Sequence, residues 1–165
     1  MFWATWAVYN ICLTIVFGVL HQGGVVPSLF YMHDQLAALN HTQSARLIYW
    51  KTYMPPWHLL AIQEAGASAI VLQGNLADAA ASSSGETNTT TYVITTFAMK
   101  ASLPPAIERC LTFEHAMFPH LDLDHIGESV KLGWKGGLSL GIWIVDMMCI
   151  ERSSNLGDAL PLQIE

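Results

Sequence analysis

From Phe2 to Leu20 the chain holds no charged residue, and only Thr5, Asn10, Thr14 and Gly18 interrupt an otherwise apolar run. At about 1.5 Å rise per residue, a helix of this length reaches the ~30 Å hydrocarbon thickness of a bilayer. A helix buried in a soluble domain rarely stays uncharged for so long, so residues 1–22 are expected to form a transmembrane helix. A secretory signal peptide is the rival reading. Against it, a basic n-region is missing, the apolar run exceeds a usual h-region, and no small-x-small cleavage site precedes His21.

Beyond Gly23 and Gly24, Pro27 and Ser28 lead into Leu29, Phe30, Met32, Leu36 and Leu39. This is a helical spacing ending near Asn40, expected at the membrane surface. Arg46 to Met54 sets Leu47, Tyr49 and Tyr53 on one side and Ile48, Trp50 and Met54 on the other, then stops at Pro55-Pro56. That pattern predicts a strand buried on both faces. Residues 77–91, with their serine and threonine runs, offer little to pack and are expected to form a mobile loop. A second strand is expected over Tyr92 to Met99. Ser102 and Pro104-Pro105 then carry the chemistry of a helix start, with the helix running to about Glu114. The last apolar run, Leu138 to Ile150, carries Asp146 and follows Gly136-Gly137, so it suits a core strand better than a second crossing. The whole predicts an α+β fold: one N-terminal transmembrane helix followed by a small lumenal domain, residues 23–165, with short strands and helices. The lumenal side is suggested by two N-x-S/T sequons, Asn40-His41-Thr42 and Asn88-Thr89-Thr90, both beyond the span.

Composition supports lipid: 52% of residues are hydrophobic, only 12% are charged, and mean hydropathy is +0.35. The net charge is -6, and the seven basic residues are scattered singly, so no basic stripe for a nucleic-acid backbone exists. Cys12, Cys110 and Cys149 show no CxxC spacing, so neither a zinc cage nor a disulfide framework is read from them, and a Cys110 to Cys149 bridge stays open.

The densest polar cluster is Glu114-His115 followed by His120, Asp122, Asp124 and His125. These are metal-ligand and acid–base residue types, so a metal-dependent hydrolase built on His115, His120, Asp122, Asp124 and His125 is one reading. Their spacing matches no metal motif of defined geometry, and Leu121 and Leu123 alternate with them as in a turn, so a hydrogen-bonded turn is the default and no metal is assigned. His21-Gln22-Gly23-Gly24 sits where the span reaches the interface and can serve as a helix cap. Tyr53-Met54-Pro55-Pro56-Trp57-His58 joins aromatics, prolines and an imidazole, suited to a lipid or sugar face or to a core corner. No nucleophile elbow, Walker loop, dinucleotide fingerprint or HExxH occurs.

Three ordered segments carry a resemblance. They are Phe17 to Pro27 (FGVLHQGGVVP), Lys51 to Leu60 (KTYMPPWHLL) and Phe118 to His125 (FPHLDLDH). Together they resemble the C-terminal end of the mannosyltransferases that add the fourth mannose to glycosylphosphatidylinositol (GPI) anchor precursors, where a last transmembrane helix is followed by a lumenal tail. The resemblance implies a multi-spanning endoplasmic-reticulum membrane enzyme. It would transfer α-1,2-mannose from dolichyl-phosphate mannose to the GPI-precursor glycolipid, by inversion and without a further cofactor. The family's acidic catalytic motif lies in a lumenal loop upstream of the region resembled, so the chain is expected to be a C-terminal portion with no catalytic residue of its own. His21, Gln22, Tyr53 and His58 would then lie near the lipid-linked donor or the glycan, supplying hydrogen bonds and stacking. One departure is Trp57, where the family pattern continues Tyr-Met-Pro-Pro with an arginine that could bind phosphate. A non-catalytic single-span lumenal binding module is the alternative from another class.

Overall fold

A computed structural model describes residues 1–21, 23–39, 44–52, 55–60, 69–73, 89–103 and 105–155. The apolar run is helical throughout: helix α1 spans Phe2–Leu13, and a wider π-helical stretch, Thr14–Leu20, continues it. None of its 19 residues is fully buried. The polar side chains within it bond back to its own backbone, with Asn10 Nδ2 donating to the Trp6 carbonyl and Thr14 Oγ1 to the Asn10 carbonyl, both at 2.8 Å. A helix facing hydrocarbon requires this local satisfaction, because lipid offers no partner. Length and apolarity make this segment a candidate membrane span.

The remaining elements build a mixed α+β unit. Helix α2 (Val25–Ala37) precedes strand β1 (Ser44–Tyr49), a short 3-10 turn at Trp57–Leu60, and strands β2 (Ala69–Gln73) and β3 (Thr89–Thr96). Helices α3 (Phe97–Lys100) and α4 (Pro105–Glu108) lead to strand β4 (Leu111–Met117). Helices α5 (Ile126–Lys131) and α6 (Gly133–Gly137), strand β5 (Leu140–Val145) and helix α7 (Met147–Asn155) complete the described order. The five strands form one sheet in the order β2-β1-β3-β5-β4. Strand β1 runs parallel to both β2 and β3, whereas β5 is antiparallel to β3 and to β4.

Alternation along the central strands supplies both faces of the sheet, as expected for strands covered on two sides. Leu47 and Tyr49 of β1, Tyr92 and Ile94 of β3, and Leu140 and Ile142 of β5 pack with Val25, Leu29, Met32 and Leu36 of α2. Ile48, Val93 and Val145 point the other way and pack with Leu103 and Ile107. Within the first cluster the Ser28 and Tyr49 hydroxyls lie 3.1 Å apart, so the buried phenol has a polar partner. Burial pushes the Tyr49 phenol up to about 12, so it stays neutral.

Several expectations hold. Strand β1 divides its side chains between two cores in the predicted way, although it ends at Tyr49. The last apolar run provides β5 rather than a second crossing. Helix α2 forms where a helix was expected but ends at Ala37, and its apolar stripe packs on the sheet where a place at the membrane surface was expected. Two further expectations are corrected. The helix from Pro105 stops at Glu108, and Glu114 and His115 belong to β4, where pairing with β5 outweighs local helix propensity. The predicted loop extends too far, because Thr89, Thr90 and Thr91 enter β3 and pair with Ser44, Ala45 and Arg46. Residues 77–88 of that loop lie outside the described residues. Cys110 and Cys149 form a disulfide that ties the start of β4 to α7, with Cα atoms 5.5 Å apart.

Candidate functional site

Two of the three sequence segments meet where the apolar helix ends. The Leu20 carbonyl accepts a hydrogen bond from the Leu121 backbone N–H at 2.8 Å, and His21 forms a parallel bridge with Leu121. A Cβ on Gly23 would lie 2.6 Å from the Pro119 carbonyl oxygen and would also collide with the Val19 carbonyl. Only glycine permits the helix end to approach the turn this closely. A Cβ on Gly24 would meet the Cβ atoms of His120 and Leu140 at 3.0 Å each.

The third segment arrives from the sheet. Strand β1 ends at Tyr49, and Lys51 follows with a positive φ of 48°, turning the chain across the sheet edge. The Lys51 ammonium lies 5.3 Å from the centre of the Trp50 ring. Thr96 closes β3 and caps α3, its Oγ1 accepting from the Met99 backbone N–H at 3.3 Å. Lys51, Thr52 and Thr96 thereby line, with His120, Leu121, Asp122, Asp124 and His125, a pocket of about 380 Å³ whose residues are mostly polar. The pocket stands at the carboxyl ends of the parallel strands β1 and β3, the edge where open α/β sheets characteristically receive ligands.

The pocket wall from 120 to 125 is held by its own hydrogen bonds. The His120 N–H donates to the Leu138 carbonyl at 2.9 Å. Asp122 Oδ1 accepts from the Asp124 backbone N–H at 3.0 Å, and Asp122 Oδ2 lies 2.8 Å from His125 Nδ1. This is an Asx-type turn, the default reading of the LDLDH sequence. His120 is 3% exposed, and its buried Nδ1 has no hydrogen-bond partner among the described residues. Burial lowers its pKa to about 4, against a smaller opposite pull from Asp122, so the imidazole is neutral at physiological pH.

The sequence-predicted site residues fare unequally. His21 sits at the end of the apolar helix, close enough to His120 for its charge to disfavour protonation there. Gln22 and Tyr53 lie outside the described residues. His58 is exposed in the Trp57–Leu60 turn, which packs on α2, and it is not among the residues lining the pocket. Of the residues of the hydrolase reading, His120, Asp122, Asp124 and His125 stay together at the pocket, whereas His115 lies elsewhere. Glu114 accepts from the Tyr31 hydroxyl at 3.3 Å and the His115 ring stacks on Tyr31 at 4.6 Å, on the exposed strand β4. Among the described residues no three His, Cys, Asp or Glu side chains converge as a metal set. Sequence reasoning missed Lys51, Thr52 and Thr96. The first two open the second resemblance segment and could have been noticed there. Thr96 gives no sequence signal, because only strand pairing carries it to the pocket.

Comparison with known proteins decides the kinship. Over 84% of its length the chain is 30% identical to the Homo sapiens GPI alpha-1,2-mannosyltransferase 4, of which it covers 27%. A shorter stretch, 31% of the chain, is 47% identical to the GPI mannosyltransferase 4 of Debaryomyces hansenii, covering 9% of that protein. Another, 34% of the chain, is 44% identical to the GPI mannosyltransferase 4 of Yarrowia lipolytica, covering 10% of it. The chain is a homologue of GPI mannosyltransferase 4. It spans about a quarter or less of the length of these GPI mannosyltransferase 4 relatives. Any stretch covering 84% of the chain includes residues 51–125, so the whole pocket lies inside the region shared with the human GPI mannosyltransferase 4. No family profile and no solved structure matches the chain.

Proposed function

We propose that the chain is the C-terminal part of an endoplasmic-reticulum mannosyltransferase that transfers an α-1,2-linked mannose from dolichyl-phosphate mannose to the GPI-anchor precursor. The observation that carries this reading is the match over most of the chain to a human GPI alpha-1,2-mannosyltransferase 4, with the polar pocket inside the matched region. The exposed apolar helix supports residence in a membrane, and the two sequons beyond it support a lumenal domain. The acid–base step belongs to a lumenal loop outside this chain. The chain's own contribution is binding and orientation of the glycolipids, with His21, Gln22, Tyr53 and His58 supplying hydrogen bonds and aromatic contact near the interface.

The test replaces all four residues in the full-length enzyme and profiles GPI intermediates in the cells that carry it. Accumulation of the three-mannose intermediate is expected. Normal addition of the fourth mannose by the fourfold variant contradicts the assigned binding role.

A further inference from the structure

We propose that the pocket at the carboxyl ends of β1 and β3 binds the hydroxyl groups of a neutral glycan, namely a mannose of the GPI precursor. The choice of mannose rests on the function proposed above; the choice of a neutral polyhydroxylated ligand rests on the pocket itself.

Its walls offer both hydrogen-bonding senses. Lys51 brings an ammonium donor, Thr96 a hydroxyl, and Asp122 and Asp124 carboxylate acceptors. A sugar hydroxyl donates and accepts at once, so it matches this mixture better than a group that only accepts. The formal charge of the lining points the same way, with one lysine against two aspartates. A phosphate seated there would meet a net negative wall. His120 lines the pocket, and its buried Nδ1 has no hydrogen-bond partner among the described residues. A buried polar atom left in this way costs free energy unless a ligand or water satisfies it. Leu121 adds an apolar surface for the C–H face of a pyranose. The volume of about 380 Å³ falls within the range of small-ligand sites. The second groove, lined by Phe97, Ala116, Phe118 and Trp134 together with Lys135 and Ser139, is mostly apolar and carries no carboxylate among its lining residues.

The experiment titrates the full 165-residue chain, in detergent micelles, with α-1,2-mannobiose, using inorganic phosphate as competitor. Lys51→Met and Asp124→Asn alter exposed side chains at the rim, and thermal unfolding confirms that both variants fold. Saturable binding is expected, weakened about tenfold in each variant, the loss that accompanies removal of one charge-assisted hydrogen bond. Phosphate is expected not to compete. No saturable binding, equal binding by both variants, or displacement by phosphate overturns the proposal. Absent binding in a chain that cells still need for the fourth mannose removes the pocket assignment alone. Binding by a chain whose loss leaves fourth-mannose addition intact removes the mannosyltransferase reading alone.

Discussion

The backbone N–H of Leu121 donates to the Leu20 carbonyl at 2.8 Å, so the last turn of the apolar helix is fastened to the wall of the polar pocket. The pocket therefore sits a few residues from the end of the candidate span, with His120 packed against Gly24. A lipid-linked glycan held at the bilayer surface would find it within reach.

This junction depends on Gly23. Replacing Gly23 by alanine puts a methyl group against the Pro119 and Val19 carbonyls, which the backbone can relieve only by separating the helix end from the turn. The expected cost is about 1–3 kcal/mol of unfolding free energy, typical of overpacking. Gly127, where an added Cβ meets nothing within 4 Å, is the internal control and should lose no stability on the same change. Denaturant unfolding of the two variants in micelles checks the pair.

His120 gives the fold an acid sensitivity with a defined sign. Its folded pKa of about 4 lies below the ordinary value of 6.5, so between these values the unfolded chain binds a proton that the folded chain refuses. Stability from this group is complete above pH 6.5 and declines as pH falls toward 4, by at most about 1.4 kcal/mol per pH unit. A His120→Gln variant should lose that slope. Unfolding measured across the window in both proteins makes the comparison.

Reduction of the Cys110–Cys149 disulfide releases a loop with a sequence separation of 39. Chain entropy predicts a loss of up to about 4 kcal/mol, and α7 should loosen from the α4 side of the sheet. Thermal unfolding with and without reductant, compared with a Cys110→Ala/Cys149→Ala double variant, should give matching losses.

Much of the fold was legible because its strongest patterns are two-sided. Leu47 and Tyr49 against Ile48 announced a strand covered on both faces, and the uncharged run from Phe2 to Leu20 announced its helix by length alone. Strand β4 was misread because it is an exposed edge, with Thr112 through Ala116 open to solvent and a register shift between Phe113 and His115. No alternation of burial marks such a strand, and Pro104-Pro105 signals a helix start without signalling its end. Thr89 to Thr91 looked unpackable in sequence but find partners in the parallel ladder with β1. The pocket was half visible. His120, Asp122, Asp124 and His125 stood out as a polar cluster, whereas their meeting with Lys51 and Thr96 follows from a crossover no local pattern records.

The lumenal assignment is tested by glycan occupancy at Asn40 and Asn88. Endoglycosidase treatment of the chain expressed in eukaryotic cells should increase its mobility, and Asn40→Gln with Asn88→Gln should abolish the shift. A cytosolic domain would show no shift in either form.

The central claim is tested most directly by deleting the coding segment for this chain in the cell that produces it and measuring lipid-linked GPI intermediates by mass spectrometry. Accumulation of the three-mannose intermediate, reversed when the segment is restored, is the predicted result. An unchanged yield of the four-mannose species after deletion contradicts the account.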